Sequence, residues 1–336
     1  MCAVRHNLQR RNVLKSIGAL AFAAAESPFP ALAAANPVAA RPVIDTHIHL
    51  FDPSRPGGVP WPQKTDSALL YKPALPARYA QLAEPHGVVG AIAVEASPWL
   101  VDNFWLRDIV QQNPIMLGYI GDLLPEAPDF ETTLDMLHRS PLFLGIRYGN
   151  LWNRDLGTAS QNSVFVQGLR LLAQAGLVLE TANPNAPLIA AVVRVSDRVP
   201  SLRIVLDHLP NADLPSDAKE RAQYDANLRE LAQRPQVFVK GSEIVRRVGS
   251  QISLDEVAYK PQLDQLWELF GEDRILYGSD WPNSDTVATY DQVFRVAQGY
   301  IRTRSTTAQQ KYFWKNSVAA YRWKPRASAQ AHLGGA

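Results

Sequence analysis

The stretch Val43-Ile44-Asp45-Thr46-His47-Ile48-His49 carries an apolar, β-branched run into two imidazoles spaced one residue apart. Along a strand, residues i, i+2 and i+4 share a face, so Asp45, His47 and His49 are expected on one side and Ile44, Thr46 and Ile48 on the other. Two neutral imidazoles aimed at one spot can share a metal ion or hydrogen-bond a single carbonyl oxygen. Further along, other short apolar runs also end in groups that can do chemistry: Glu95, Arg147 in LGIRYGN, Glu180, Asp207-His208, Lys240 in VFVKGSE, and Ser279-Asp280-Trp281-Pro282. Charges are costly to bury without partners, so this recurrence implies mutual pairing, a metal or a polar substrate.

The elements that must position these residues can be read from hydrophobic pattern. Strands are expected at Val43–His49, Val88–Glu95, Ile115–Gly121, Leu142–Arg147, Leu177–Thr181, Leu202–His208, Val237–Lys240 and Ile275–Ser279. Between them, apolar residues at three- and four-residue steps predict helices such as Asp102–Gln112, Phe130–His138, Val164–Ala175, Leu188–Asp197, Ala218–Gln233 and Leu263–Phe270. Strand and helix alternate with no composition break, the pattern of a parallel sheet covered by helices, and eight units close a barrel. The expected class is therefore α/β, a single (β/α)8 TIM barrel over residues 42–325, with 326–336 as a flexible tail. An open doubly wound sheet is the rival, weakened because no G-x-G-x-x-G follows the first strand. In such a barrel the active site lies at the carboxyl ends of the strands, which is where the polar residues above fall. The five-proline segment FDPSRPGGVPWPQKTDSALLYKP is too long for a plain connection and is expected over the barrel mouth.

Taken together, DTHIHLFDP, VLDHLP and ILYGSDWP resemble the amidohydrolase superfamily, in particular its amidohydrolase-related lactonase branch. The resemblance spans residues 42 to about 322. It implies that His47, His49 and His208 meet at the mouth, holding one divalent ion such as zinc or polarising a carbonyl directly without metal. It also implies that Asp280 is a metal ligand or the base that takes a proton from water. Binuclear members carry a carboxylated lysine on the fourth strand and a histidine on the fifth. FLGIRYG has no lysine and the fifth strand offers Glu180, so two metals are not expected. Arg147 suits a substrate carboxylate with its guanidinium fork, or a salt bridge to a rim carboxylate. Glu95 and Glu180 are read as substrate or metal contacts, or as partners of Arg147. Lys240 steers an anion or pairs with Glu180 or Asp280. Trp61, Trp99 and Trp281 line an apolar pocket or pack. The implied activity is hydrolysis of a small, polar, acidic lactone. Nonoxidative zinc-dependent decarboxylation on the same layout is the alternative, and a degenerate binding barrel a third reading that the full His and Asp set disfavours.

Composition narrows the partners. The chain is 46% hydrophobic and 20% charged, ordinary for a folded protein. Residues 1–35 hold Arg5, Arg10, Arg11 and Lys15 against Glu26, leaving 30 basic and 31 acidic residues in the body (34 less 4, 32 less 1). Nothing in that balance calls for nucleic acid, and a small-molecule substrate is the expected partner. The basic start, Ala-rich middle and Ala31-Leu32-Ala33 of residues 1–35 make up an export signal rather than a membrane anchor. Arg10-Arg11 resembles the twin-arginine address read transiently by export machinery, which implies a periplasmic or secreted enzyme. The sole cysteine, Cys2, lies in the segment such processing removes. Changing Arg10-Arg11 to Lys-Lys should therefore leave folded enzyme in the cytoplasm. Fractionation of a strain without the twin-arginine translocase checks this, since undiminished export there removes that address.

Overall fold

The computed structural model describes residues 41–248 and 250–333, so the export signal expected at 1–35 lies outside the described residues. Eight parallel strands pair in sequence order: β1 Val43–His49, β2 Val88–Val94, β3 Met116–Gly121, β4 Phe143–Arg147, β5 Val178–Thr181, β6 Arg203–Leu206, β7 Val237–Gly241 and β8 Ile275–Tyr277. The ring closes just beyond β8, where Asp280 N donates to His47 O at 2.9 Å and His49 N to Trp281 O at 2.7 Å. This is a nearly closed (β/α)8 barrel, and the doubly wound alternative falls away. A short antiparallel ribbon, Arg247–Val248 with Gln251–Ile252, follows β7.

The crossover helices are α1 Pro76–Ala83, α2 Leu100–Gln112, α3 Phe130–His138, α4 Leu156–Ala159, α5 Ser163–Gln174, α6 Ala186–Arg198, α7 Ala218–Ala232, α8 Lys260–Phe270 and α9 Tyr290–Ile301. Side-chain caps set several starts: Asn162, Asn185 and Asp217 accept from the first turns of α5, α6 and α7. A last helical stretch runs from Thr306 to Tyr321 and contains a π turn at Lys311–Lys315. Apolar side chains fill two regions. Strand residues facing outward pack under the helices, while Ile44, Ile92, Leu117, Leu144, Val178, Val205, Phe238 and Leu276 fill the lower barrel.

The strand pattern fails at one consequential place. Asp45 pairs with Ala91 but Ile48 pairs with Ala93, so three steps along β1 oppose two along β2. Such an irregularity breaks the period of two. Asp45, expected beside the histidines, instead faces the helices. There it accepts from Tyr79 and Tyr290 hydroxyls at 2.9 and 3.2 Å and from Ser279 N at 2.9 Å. Burial pushes its carboxyl up, against those hydrogen bonds.

The flexible tail expected after residue 325 is corrected over residues 326–333. Gln330 is wholly buried, donating to Val89 O at 2.8 Å and Pro114 O at 2.9 Å, and Leu333 packs against the lower barrel. Arg326 donates to Val110 O and Gln111 O, both at 2.7 Å. The segment is polar enough to read as a tail, yet its amide and guanidinium satisfy carbonyls that end α2 and begin the strands. Truncation after Pro325 should cost roughly 3–5 kcal/mol, from one buried leucine and several hydrogen bonds. Thermal melting checks this, and a truncated chain that melts with the full one would make the segment dispensable.

Candidate active site

The two histidines of β1 reach the carboxyl-end rim together, with His47 Nε2 and His49 Nε2 3.2 Å apart. Asp280 Oδ1 lies 3.4 Å from the first and 3.3 Å from the second. That oxygen is buried and takes no hydrogen bond, while Asn283 donates to Oδ2 at 2.7 Å. His208 joins from the residue pair after β6, its ring centroid 4.9 Å from that of His47 and its Nδ1 3.1 Å from Ser242 Oγ. Gly278 permits the approach of β8 to β1, because a Cβ there would stand 2.8 Å from His47 Cβ.

Hydrogen-bond partners dictate the tautomers. His49 Nδ1 lies 3.1 Å from the carbonyl oxygens of Val94 and Glu95, so it carries the hydrogen and leaves Nε2 as a lone pair. His47 Nδ1 lies 3.0 Å from Lys240 Nζ, which can only donate, so the proton of His47 sits on Nε2 and points into the site. Burial, helped by the Lys240 charge, holds the His47 imidazole well below its ordinary pKa and hence neutral. Burial alone would raise Asp280, but the neighbouring imidazoles of His49, His208 and His47 outweigh it and hold the carboxyl below its usual range.

Beneath this layer lies a charge network with no exposure to solvent. Lys240 Nζ contacts Glu180 Oε2 at 2.8 Å and Asp207 Oδ1 at 3.0 Å. Tyr321 donates to the other oxygen of Glu180. Burial and the neighbouring Asp207 charge push Glu180 up to about 7 despite Lys240. Asp207 moves the other way: the charges of Lys240 and Arg147, with the His47 imidazole beside it, overcome its burial. Glu180 and Lys240, expected as substrate contacts, are thus corrected to a supporting layer under His47, because each one's charge is spent on the other.

Above it opens a cavity of about 580 Å³ lined by His49, His208, Asp280, Trp61, Trp152 and Arg154, among others. Arg147 reaches its wall, but its fork is filled: Nε donates to Glu95 Oε1 at 2.7 Å and an Nη to Glu95 O at 2.8 Å. Glu95 also accepts from Ser97 N and Trp152 Nε1 at 3.0 and 3.1 Å, so it positions Arg147 and Trp152 and does not line the cavity itself. Trp61, from the proline-rich loop, does line it, its ring 5.7 Å from His49. Trp281 does not: it is fully buried against Tyr79 under Arg78, on the helix side of the rim. Trp99 is also outside the cavity lining and 41% exposed.

Sequence reasoning missed Asn150, Trp152, Asn153, Arg154, Asn183 and Glu243. For four of them, Trp152, Asn153, Asn183 and Glu243, the signal is conformational. Among the described residues, seven non-glycines have positive φ, and six of them line this cavity: Trp152, Asn153, Asn183, His208, Glu243 and Asp280. Left-handed backbone is costly for such residues and collects where a site needs a particular side-chain aim.

A divalent ion suits one part of this arrangement. Ligand atoms of His47, His208 and Asp280 lie within 4.8 Å of one another, and the unbonded Asp280 Oδ1 supplies the anionic donor. Two imidazoles and a carboxylate are a fitting set. On binding, His47 Nε2 must lose its proton, while its other nitrogen, Nδ1, lies 3.0 Å from Lys240 Nζ and 3.6 Å from Asp207 Oδ1.

Comparison with known proteins bears on this geometry. The amidohydrolase family matches residues 44–323. An L-fucono-1,5-lactonase of Burkholderia ambifaria is 26% identical over 243 residues, 72% of this chain and 80% of that protein. An amidohydrolase structure from Burkholderia multivorans with bound zinc superposes with a TM-score of 0.72 at 22% identity, covering 84% of this chain and 99% of that one. A probable 2-pyrone-4,6-dicarboxylic acid hydrolase from Acinetobacter baumannii with citric acid bound gives 0.67 at 17% identity, with coverage of 84% and 99%.

The buried network makes a stability prediction. Lys240→Met leaves Glu180 and Asp207 facing each other without a cation and should cost about 3–5 kcal/mol. Adding Glu180→Gln should recover part of that loss, because the two sites are in contact. Equal losses in the single and double variants, read by denaturant unfolding, would show the carboxylates do not depend on Lys240.

Proposed function

The chain belongs to the amidohydrolase family, and on that premise we propose that it hydrolyses a small, polar, uncharged lactone. One observation carries the reading: Asp280 Oδ1, buried and unbonded, meets the facing nitrogens of His47 and His49 at 3.3–3.4 Å beside a cavity large enough for a sugar-sized ring. The lactonase from Burkholderia ambifaria supports the bond type.

Attack begins with a water molecule directed by Asp280 at the acyl carbon. As the carbon–oxygen bond forms, the water proton passes to Asp280 and negative charge grows on the carbonyl oxygen. Without a metal, His47 Nε2–H, held in that tautomer by Lys240, is the donor for that oxygen; once His47 holds the ion, its Nε2 has no proton to give. The acyl to ring-oxygen bond then breaks, Asp280 returns its proton to the departing oxygen, and the product is a hydroxy acid. Because the carboxyl is held low, it stays ionised but is a weak base, so the transfer becomes favourable only as the attacking oxygen acidifies during attack. His47, His208 and Asp280 would hold the metal, and we assign zinc, with support from the zinc-bound Burkholderia multivorans protein. Zinc supplies Lewis-acid polarisation of the carbonyl when bound.

Charge argues for an uncharged substrate in place of the acidic one expected from sequence. Both cavity guanidiniums are already matched, Arg147 by Glu95 and Arg154 by Asp122 at 2.7 Å, while Glu243 and Asp280 add negative charge. Four asparagines, Asn150, Asn153, Asn183 and Asn283, with Trp61 and Trp152, offer amides for hydroxyls and rings for apolar faces. We also assign a periplasmic or secreted location, supported by residues 1–35 alone.

Asp280→Asn preserves size while removing the proton acceptor, so kcat on lactones should fall by roughly two to four orders of magnitude with melting little changed. Proton release from neutral aldonolactones in a pH-stat measures this. An Asn variant that is unstable yet fully active would remove Asp280 from the chemistry, and carbon dioxide release from aromatic acids without lactone turnover would favour the decarboxylase. Chelator dialysis followed by zinc should abolish and restore turnover; activity indifferent to both would favour the metal-free histidine route.

A further inference from the structure

The cavity does not end at His208. A second, smaller space of about 180 Å³ adjoins it, sharing Asn183, His208 and Glu243 as a common wall and bounded beyond them by Pro184, Leu209, Ala212, Asp213 and Arg246. It lies between the loops that follow β5, β6 and β7. In the shared wall, the left-handed backbone of Glu243 (φ 52°) aims a 43% exposed carboxylate at His208 Nε2, 3.7 Å away.

Its far wall is held in place. One Arg246 Nη donates to Gln262 Oε1 at 3.0 Å and to Ala212 O at 3.2 Å, which fixes the guanidinium. Among the described residues the other Nη has only Asp213 Oδ2, 3.8 Å away, and Asp213 is almost fully exposed, so solvent screens the pair. Arg246 therefore keeps donor capacity toward the space, while Glu243 and Asp213 provide acceptors. Two carboxylates against one guanidinium disfavour an anion, and among the described residues no Phe, Tyr or Trp lines the space, which disfavours an apolar group. A chain of neutral hydroxyls, each both donor and acceptor, matches the set.

We propose that this annexe is a specificity subsite that receives a hydroxylated side arm carried by the lactone ring, with Arg246 its anchoring donor and Glu243 its acceptor. The inference rests on the lactonase reading of the main cavity and adds the shape of the substrate: a polyhydroxylated lactone with an exocyclic tail of at least two hydroxyl-bearing carbons.

The test uses the full chain and two aldono-1,5-lactones with the same ring hydroxyls, one bearing a two-carbon diol at C5 and one bearing hydrogen there. The readout is the ratio of their kcat/KM values, in which any unfolded fraction of a preparation cancels. The wild type should prefer the diol lactone, and Arg246→Met should lower the ratio about 10- to 100-fold, the scale of one or two hydrogen bonds to a charged group. Arg246→Lys should recover part of it, and Glu243→Gln should lower it in the same direction. A ratio unchanged by Arg246→Met, with both lactones still hydrolysed, overturns the annexe and leaves the lactonase reading standing. Failure of the wild type to open either ring overturns both.

Discussion

Lys240 Nζ, enclosed among Glu180, Asp207 and His47 at 2.8–3.0 Å, is the contact on which the candidate site depends. An ammonium cannot accept a hydrogen bond, so its presence decides which nitrogen of His47 carries the proton. It also allows two carboxylates to stand inside a barrel where neither could be ionised alone. The network reaches down as well as up. Tyr321, at the end of the last helical stretch, binds Glu180 from below, and Asp207 reaches toward an Arg147 Nη at 3.6 Å. The chemistry at the rim and the plug beneath the barrel are thus joined through one buried cation.

The rim is built with a different resource. His208 and Asp280 leave their strands in left-handed conformation, as do Trp152, Asn153, Asn183 and Glu243 on the surrounding loops. Strain of this kind persists only where hydrogen bonds and packing over-determine the backbone. For Asp280 the determinants are visible: its N–H is bound to His47 O, its Oδ2 to Asn283, and the following Trp281 is locked between Tyr79 and Arg78. Trp281 contributes by anchoring the turn that aims Asp280.

Arg147 and Glu95 show how a guanidinium that reaches the site can be matched by the protein itself. A guanidinium fork suits a substrate carboxylate, but it suits a protein carboxylate equally well, and Glu95, at the end of β2 with β3 between, takes it. The pair is buried and shapes the wall by holding the Trp152 indole.

The sequence by itself determined the eight strands, most of the crossover helices and the gathering of polar residues at one rim, which follow from local period and from the rule that strand ends converge in a parallel barrel. The meeting of His47, His49, His208 and Asp280 was implied by the resemblance of their motifs to the amidohydrolase superfamily. Tertiary structure alone decided the rest. The register slip between Asp45 and Ile48 turned Asp45 away from the histidines, and it depends on pairing with β2. Which carboxylate Arg147 and Lys240 would pair with was open in the sequence, because a charged side chain's partner is set by distance across strands far apart in the chain. The packing of Gln330 and Leu333 under the barrel likewise needs carbonyls and apolar residues supplied by distant strands. The cavity-lining asparagines, Arg154 and Glu243 carried no periodic signal, since loop residues acquire a role only from the rim that holds them.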